Sequence, residues 1–212
     1  MNEPYLIIYD AQFTQQVQRL STAYENDPDG PEVNLLIATL DAIDIVKRGE
    51  EAEHGGERLG YSDRHYDLRD CAEIKIDLLD ERRPDGRSRG PSHRMIYREF
   101  APSGNDPRPI RQIIAFEHRK DGRPFEVAAE RLGRQRGAAI PGLDVIPNTV
   151  PATGRKKNPH RQIRPYRLPL PADLAAALST AQRALPGRER SRSPNRWIRT
   201  ADPPTRHQAR DR

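Results

Sequence analysis

The chain has one cysteine, Cys71, and one tryptophan, Trp197, in 212 residues. A lone thiol excludes an internal disulfide framework and any zinc site built from several cysteines. It fits a reducing, cytoplasmic location. No apolar run approaches the roughly 18 residues that a helix needs to cross a bilayer. The opening MNEPYLIIYD has no positively charged region, and its apolar stretch is too short for a signal peptide, so no membrane partner is expected. Apolar residues are scarce as well, at 34%. A typical soluble domain has roughly 45–50% with glycine counted, so one core filling the whole chain is not expected.

Proline and charge are what the chain has in quantity. Nine of its 20 prolines lie in 151–212, and that segment carries 15 Lys and Arg against 4 Asp and Glu, a net of +11. Residues 1–150 carry 21 against 27, a net of −6, and the first 70 alone reach −9. An acidic front with a basic end suggests a tail that meets a polyanion, or simply a solvated, disordered tail. From about residue 136 onward no helical or strand period survives. Such a segment buries too little apolar surface to offset its backbone entropy. The expected organisation is a folded domain over 1–135 and a largely disordered tail over 136–212. The exception is PADLAAALSTAQRAL (171–185), where Pro171 opens a stretch with Leu174, Leu178 and Leu185 in helical register. A short helix is expected there, of the kind that can form on binding.

The first 135 residues have clear periodicity. YLIIY (5–9) suits a short buried strand. Phe13, Val17, Leu20 and Tyr24 recur at spacings of three and four, which is one helix face, and DPDGP (27–31) breaks it. Pro31 then suits the first turn of a second helix with Val33, Leu36, Ile37, Leu40, Ile43 and Val46 on its core side. CAEIKIDLL (71–79) alternates strictly, with Glu73, Lys75 and Asp77 turned away from Ala72, Ile74, Ile76 and Leu78. HRMIYREF (93–100) and IRQIIAFE (110–117) are further strands, and PFEVAAERLG (124–133) a last short helix. The order is β-α-α-β-β-β-α. It predicts an α+β fold with a small antiparallel sheet covered by helices on one face. A long basic connection, DERRPDGRSRGPS, joins the first two central strands.

The chemistry concentrates on one face of that sheet. Lys75, Arg94, Arg98, Arg119 and Lys120 lie on or just beyond adjacent strands, with Glu73, Glu117, Glu126, His93 and His118 in the same segments. Guanidinium groups match phosphate through their rigid fork, so this face is a candidate for the backbone of a nucleic acid. From spacing alone, an ordinary solvated sheet face with cross-strand ion pairs is the reading to prefer. Tyr97 alternates away from Arg94 and is expected in the core. Cys71 is better explained by packing than by reactivity. Trp197, between arginines, is a base-stacking residue or a bystander.

Three segments together resemble the RelE/ParE superfamily of toxins from bacterial type II toxin–antitoxin systems: LRDCAEIKI (68–76), RMIYRE (94–99) and IIAFEHRKDGRPFEVAAERLG (113–133). The resemblance covers about residues 4–134, apart from the enlarged connection at 80–92. It implies a metal-independent, ribosome-dependent endoribonuclease that cuts messenger RNA and blocks translation, needs no cofactor, and is restrained by a cognate antitoxin. It also implies that Lys75, Arg94 and Arg119 stabilise charge on phosphate, and that Arg98, Lys120 and Arg131 contact RNA. Two positions depart from the pattern, since a second family lysine is here Glu73 and a family tyrosine is here Phe125. Glu73 then becomes the candidate base and His118 the candidate acid. Those departures keep two alternatives open: a non-enzymatic, ParE-like inhibitor of DNA gyrase, and a catalytically inactive nucleic-acid-binding protein.

Overall fold

The computed structural model describes residues 4–62, 64–143 and 172–184. The chain enters through β1 (Leu6–Tyr9). Asp10 then caps helix α1 (Ala11–Asn26), its carboxylate accepting from the amides of Gln12 and Phe13 at 2.9 and 3.1 Å. This satisfies two of the donors that a helix start leaves unpaired. Phe13, Val17 and Leu20 are buried as their spacing predicts. Helix α2 (Glu32–Arg48) buries more than one stripe, adding Ala38, Ala42 and Ile45 to Leu36, Leu40 and Ile43. It packs both on α1 and on the sheet, so two of its sides need apolar cover.

The sheet corrects the expected four antiparallel strands. It is mixed, and its five strands run in the order β1-β5-β4-β3-β2, with β2 (Glu57–Arg58), β3 (Cys71–Ile76), β4 (His93–Phe100) and β5 (Ile110–His118). The last four pair antiparallel, whereas β1 runs parallel to β5. The two-residue strand β2 supplies the extra pass that sets β3 and β5 running in the same sense as β1. Its two polar residues carry no alternation from which a strand could be read.

Helices cover both faces, which is a second correction. Ala72, Ile74, Ile76, Met95, Tyr97, Ile113 and Phe116 pack under α1 and α2. Cys71, Ile96, Ile114 and Ala115 form a second core with Val127 and Ala128 of α3 (Arg123–Arg131) on the opposite face. The cause is a register shift beside Ile96 and Tyr97. Ile96 opposes Ala115 and Tyr97 opposes Ile113, so Ile114 is an extra residue. Two neighbours, Ile114 and Ala115, therefore turn to the same side and make an apolar seat for α3.

The chain does not leave the domain at 135. Arg134 grips both oxygens of Asp70 at 2.6 Å. The Gly137 amide donates to the His65 carbonyl, and the Ile140 amide to Asp67. Residues 136–143 thus lie along the loop of residues 59–70. The expected helix in 171–185 is present as α4 (Ala172–Ala184), packed on α1 and β1. Leu174 and Leu178 enter the main core, while Asp173 accepts from Lys47 and from the Tyr9 hydroxyl, both at 3.2 Å. The rest of the tail, including Trp197, lies outside the described residues. Among the described residues no helix is long and apolar enough to cross a membrane.

Candidate active site

The face of β2, β3 and β4 that points away from α1 and α2 carries four charges in contact. Register places Glu57 of β2 opposite Glu73 of β3, and Lys75 of β3 opposite Arg94 of β4. The Lys75 ammonium is 2.8 Å from Glu57 Oε2 and 3.3 Å from Glu73 Oε1. Arg94 Nε is 3.4 Å from Glu73 Oε2, and its Nη1 donates to the carbonyls of Pro91 and His93 at 3.0 Å each. Gly55, with φ +60°, lets the preceding turn lie against the Lys75 stem. A Cβ there would meet Lys75 Cδ at 3.3 Å, and the positive φ disfavours any side chain.

Burial sets the two carboxylates apart. Glu73 is 2% exposed, and that burial raises its pKa despite Arg94 and Lys75 beside it. Among the described residues its Oε2 accepts no hydrogen bond, the Arg94 contact being an ion pair only. Burial works on Glu57 in the same direction, but the hydrogen bond and charge of Lys75 outweigh it and hold this carboxyl below its usual range. Glu57 is also the more exposed member of the pair. Environments that separate two acids are a recurring feature of proton-transfer sites. Burial, with Arg119 adding to it, presses Arg94 below its ordinary value, and Glu73 opposes the shift.

His118 and Arg119 belong to a second cluster. Glu81 receives His118 Nε2 at 3.0 Å and Arg119 Nη2 at 2.9 Å, and Arg119 also donates to the Arg89 carbonyl. The connection expected at 80–92 folds back as a short ribbon around Pro84 and Gly86 (φ +78°), whose bridge pairs Arg82 with Ser88. With the end of β5 it encloses a cleft of about 740 Å³ into which Arg83, Arg89 and the exposed Lys120 also project. His93 sits behind, stacked on Phe116 and edge-on to His118. Ser92 Oγ accepts from the amides of Leu78 and Leu79, which leaves its proton for His93 Nδ1 at 2.9 Å. Burial, then the neighbouring charges of His118 and Arg94, bring the His93 pKa down to about 4.

The structure therefore brings together Glu73, Lys75 and Arg94 of the sequence-derived set and divides the others. His118 turns to the opposite side from Lys75, because the extra residue Ile114 inverts the alternation beyond it. Arg98 lies at the far end of β4, donating to Gln112 at 2.7 Å and stacking on Phe100. Arg131 closes the free edge of β5 where β1 has ended. It donates to the Ile114 carbonyl at 2.5 Å and to Gln16 Oε1 at 3.1 Å, and its side chain is 7% exposed. That role is architectural. Cys71 is buried, and burial pushes its thiol up, as packing requires.

Two groups escaped the sequence reading. Glu57 lies in the polar EEAEHGGER stretch, which offers no period to place it. Arg111 is fully buried between Glu51 and Glu99, donating to both and to the Val46 carbonyl, with the Tyr5 ring 3.3 Å from its guanidinium carbon. The inward parity that Arg111 shares with Ile113 was the available signal. No protein-family model matches the chain, and no curated protein or solved structure matches it either.

Proposed function

We propose that this chain is the toxin of a type II toxin–antitoxin system of the RelE/ParE kind, an endoribonuclease that cuts messenger RNA on the ribosome and is restrained by a cognate antitoxin. The observation that carries the reading is the Glu57–Lys75–Glu73–Arg94 cluster, set on a fold in which one strand and two helices precede four antiparallel strands and a helix. In this reading Glu57, half-buried and held ionised, takes the proton of a ribose 2′-hydroxyl. The new O2′–phosphorus bond forms as the phosphorus–O5′ bond breaks. Arg94 carries the charge that develops on the phosphoryl oxygens. Lys75 protonates the leaving 5′-oxygen and recovers its proton from Glu57, 2.8 Å away. Glu73 holds both cations in place. The route uses no metal and no cofactor.

The test is induced expression in bacteria, with primer extension on translated messages. New 5′ ends within codons, lost on Arg94→Ala and on Glu57→Gln, are the expected outcome. Growth arrest that persists unchanged in both variants would remove the catalytic assignment.

One observation favours a second reading. The three cations assigned to the phosphate each already have a carboxylate: Lys75 has Glu57, Arg94 has Glu73 and Arg119 has Glu81. A neutralised face suits a non-enzymatic, ParE-like inhibitor of DNA gyrase. Supercoiling by purified gyrase, inhibited by the protein at stoichiometric ratio without RNA cleavage, would decide for it.

A further inference from the structure

We propose that the cleft between the loop of residues 59–68 and the start of α3 is a nucleobase pocket, seating one base of a single-stranded RNA next to the Glu57–Lys75–Glu73–Arg94 cluster. The inference rests on the ribonuclease reading and adds where the substrate is gripped. The cleft measures about 610 Å³, and three of its walls are the rings of Tyr61, Tyr66 and Phe125, with Leu59 and Leu68 between them. A volume of this order takes a nucleotide-sized ligand. Tyr66 and Phe125 are half-buried against the second core, so their rings have a fixed backing, whereas Tyr61 is exposed.

The walls are held in place by a segment with no other evident task. The Tyr61 hydroxyl donates to the Gly137 carbonyl at 3.0 Å, and Tyr66 forms a bridge with Arg136. That segment is in turn anchored by Arg134 on Asp70. Rigid aromatic walls lose little freedom on binding, and each base has a flat face to offer them. Cations already lie over two of the rings, Arg136 at 5.4 Å from Tyr66 and Arg69 at 5.6 Å from Tyr61. Arg64 and Arg136 at the rim suit phosphate, and Asp121 and Glu126 can accept from exocyclic amino groups.

Position relative to the charged cluster selects a nucleotide over other flat ligands. Beyond β2 the ladder continues, the Leu59 amide donating to the Cys71 carbonyl at 3.0 Å. Glu57 and Leu59 are two residues apart and so share a face, at a separation of roughly 7 Å along the strand. That is close to the spacing between a base and the phosphate of its own nucleotide. A base against Leu59, Tyr66 and Phe125 thus puts its phosphate beside Lys75 and Arg94.

The test uses the full chain and the four ribonucleoside 5′-monophosphates in saturation-transfer NMR, with circular dichroism to check the fold of each variant. Base protons receive saturation in the unsubstituted protein. Affinity falls about 5- to 100-fold in Tyr66→Ala and in Phe125→Ala, while Tyr66→Phe, which keeps the ring, retains it. Equal binding by a folded Tyr66→Ala and Phe125→Ala overturns the proposal. So does the absence of any base signal, or saturation confined to a competing apolar peptide. Cleavage of ribosome-bound message without base signals removes the pocket and leaves the ribonuclease reading standing. Base binding without cleavage removes the ribonuclease reading and leaves the pocket.

Discussion

Lys75 sits between two carboxylates from different strands, 2.8 Å from Glu57 and 3.3 Å from Glu73. One of these partners is nearly sealed from solvent and the other faces it. Once Lys75 has given its proton to the leaving oxygen, the amine can therefore regain one from Glu57 on its open side while the buried side fixes its position. Replacing Glu57 by Gln keeps the shape and removes the acceptor. Single-turnover cleavage by Glu57→Gln is expected to slow about 100-fold or more. A rate equal to that of the unsubstituted protein would show that Glu57 moves no proton.

The buried Arg111 makes a prediction about stability. Truncation to Ala leaves Glu51 and Glu99 without their shared cation in a dry environment. Loss of one partner from such a group costs about 3–5 kcal/mol. Urea titration of Arg111→Ala should show a large drop in midpoint, and the joint replacement of Arg111, Glu51 and Glu99 by Met, Leu and Leu should recover much of it. If Arg111→Ala unfolds at the same urea concentration as the parent, the network contributes nothing.

His93 predicts a pH dependence. Its folded pKa of about 4 lies below the ordinary value of 6.5, so between those values the unfolded chain binds the extra proton. Stability from this group is complete above pH 6.5 and is lost as pH falls toward 4, on the order of 3 kcal/mol in all. His93→Gln should flatten the acid side of the stability profile relative to the parent, measured by denaturant midpoints at half-unit pH steps. Parallel profiles would rule the histidine out as the cause.

Helix α4 is tied to the domain by Leu174, Leu178 and Asp173. Leu174→Ala opens a cavity in the main core and should cost about 2–5 kcal/mol. Hydrogen exchange in α1 should quicken with it, because α4 packs on that helix. Unchanged protection of α1 would mean that the helix is not part of the cooperative unit.

Much of this was legible in the residues. The burial of Phe13, Val17 and Leu20 follows from helical spacing, and β4 matches its expected ends at His93 and Phe100. The tail helix was likewise readable from Pro171, Leu174 and Leu178. What escaped has identifiable causes. Strand β2 is two polar residues long, so Glu57 could not be placed opposite Glu73. Simple alternation along β5 puts His118 on the side of Gln112, but the extra residue Ile114 turns it to the other. The same bulge seats α3, so the second covered face could not be read from α3 alone. Arg111 reads as a surface charge until Glu51, remote in sequence, is brought beside it.

The pairing of Lys75, Arg94 and Arg119 with carboxylates has a consequence for how the protein would meet a polyanion. A free basic surface binds RNA largely by releasing condensed counterions, and its affinity falls steeply as salt rises. Here an incoming phosphate must instead displace Glu57 from Lys75 or Glu73 from Arg94. The exchange is one anion for another within the protein, with few ions liberated to solvent. The folded domain should therefore show a much shallower dependence of log affinity on log salt than its number of lysines and arginines suggests.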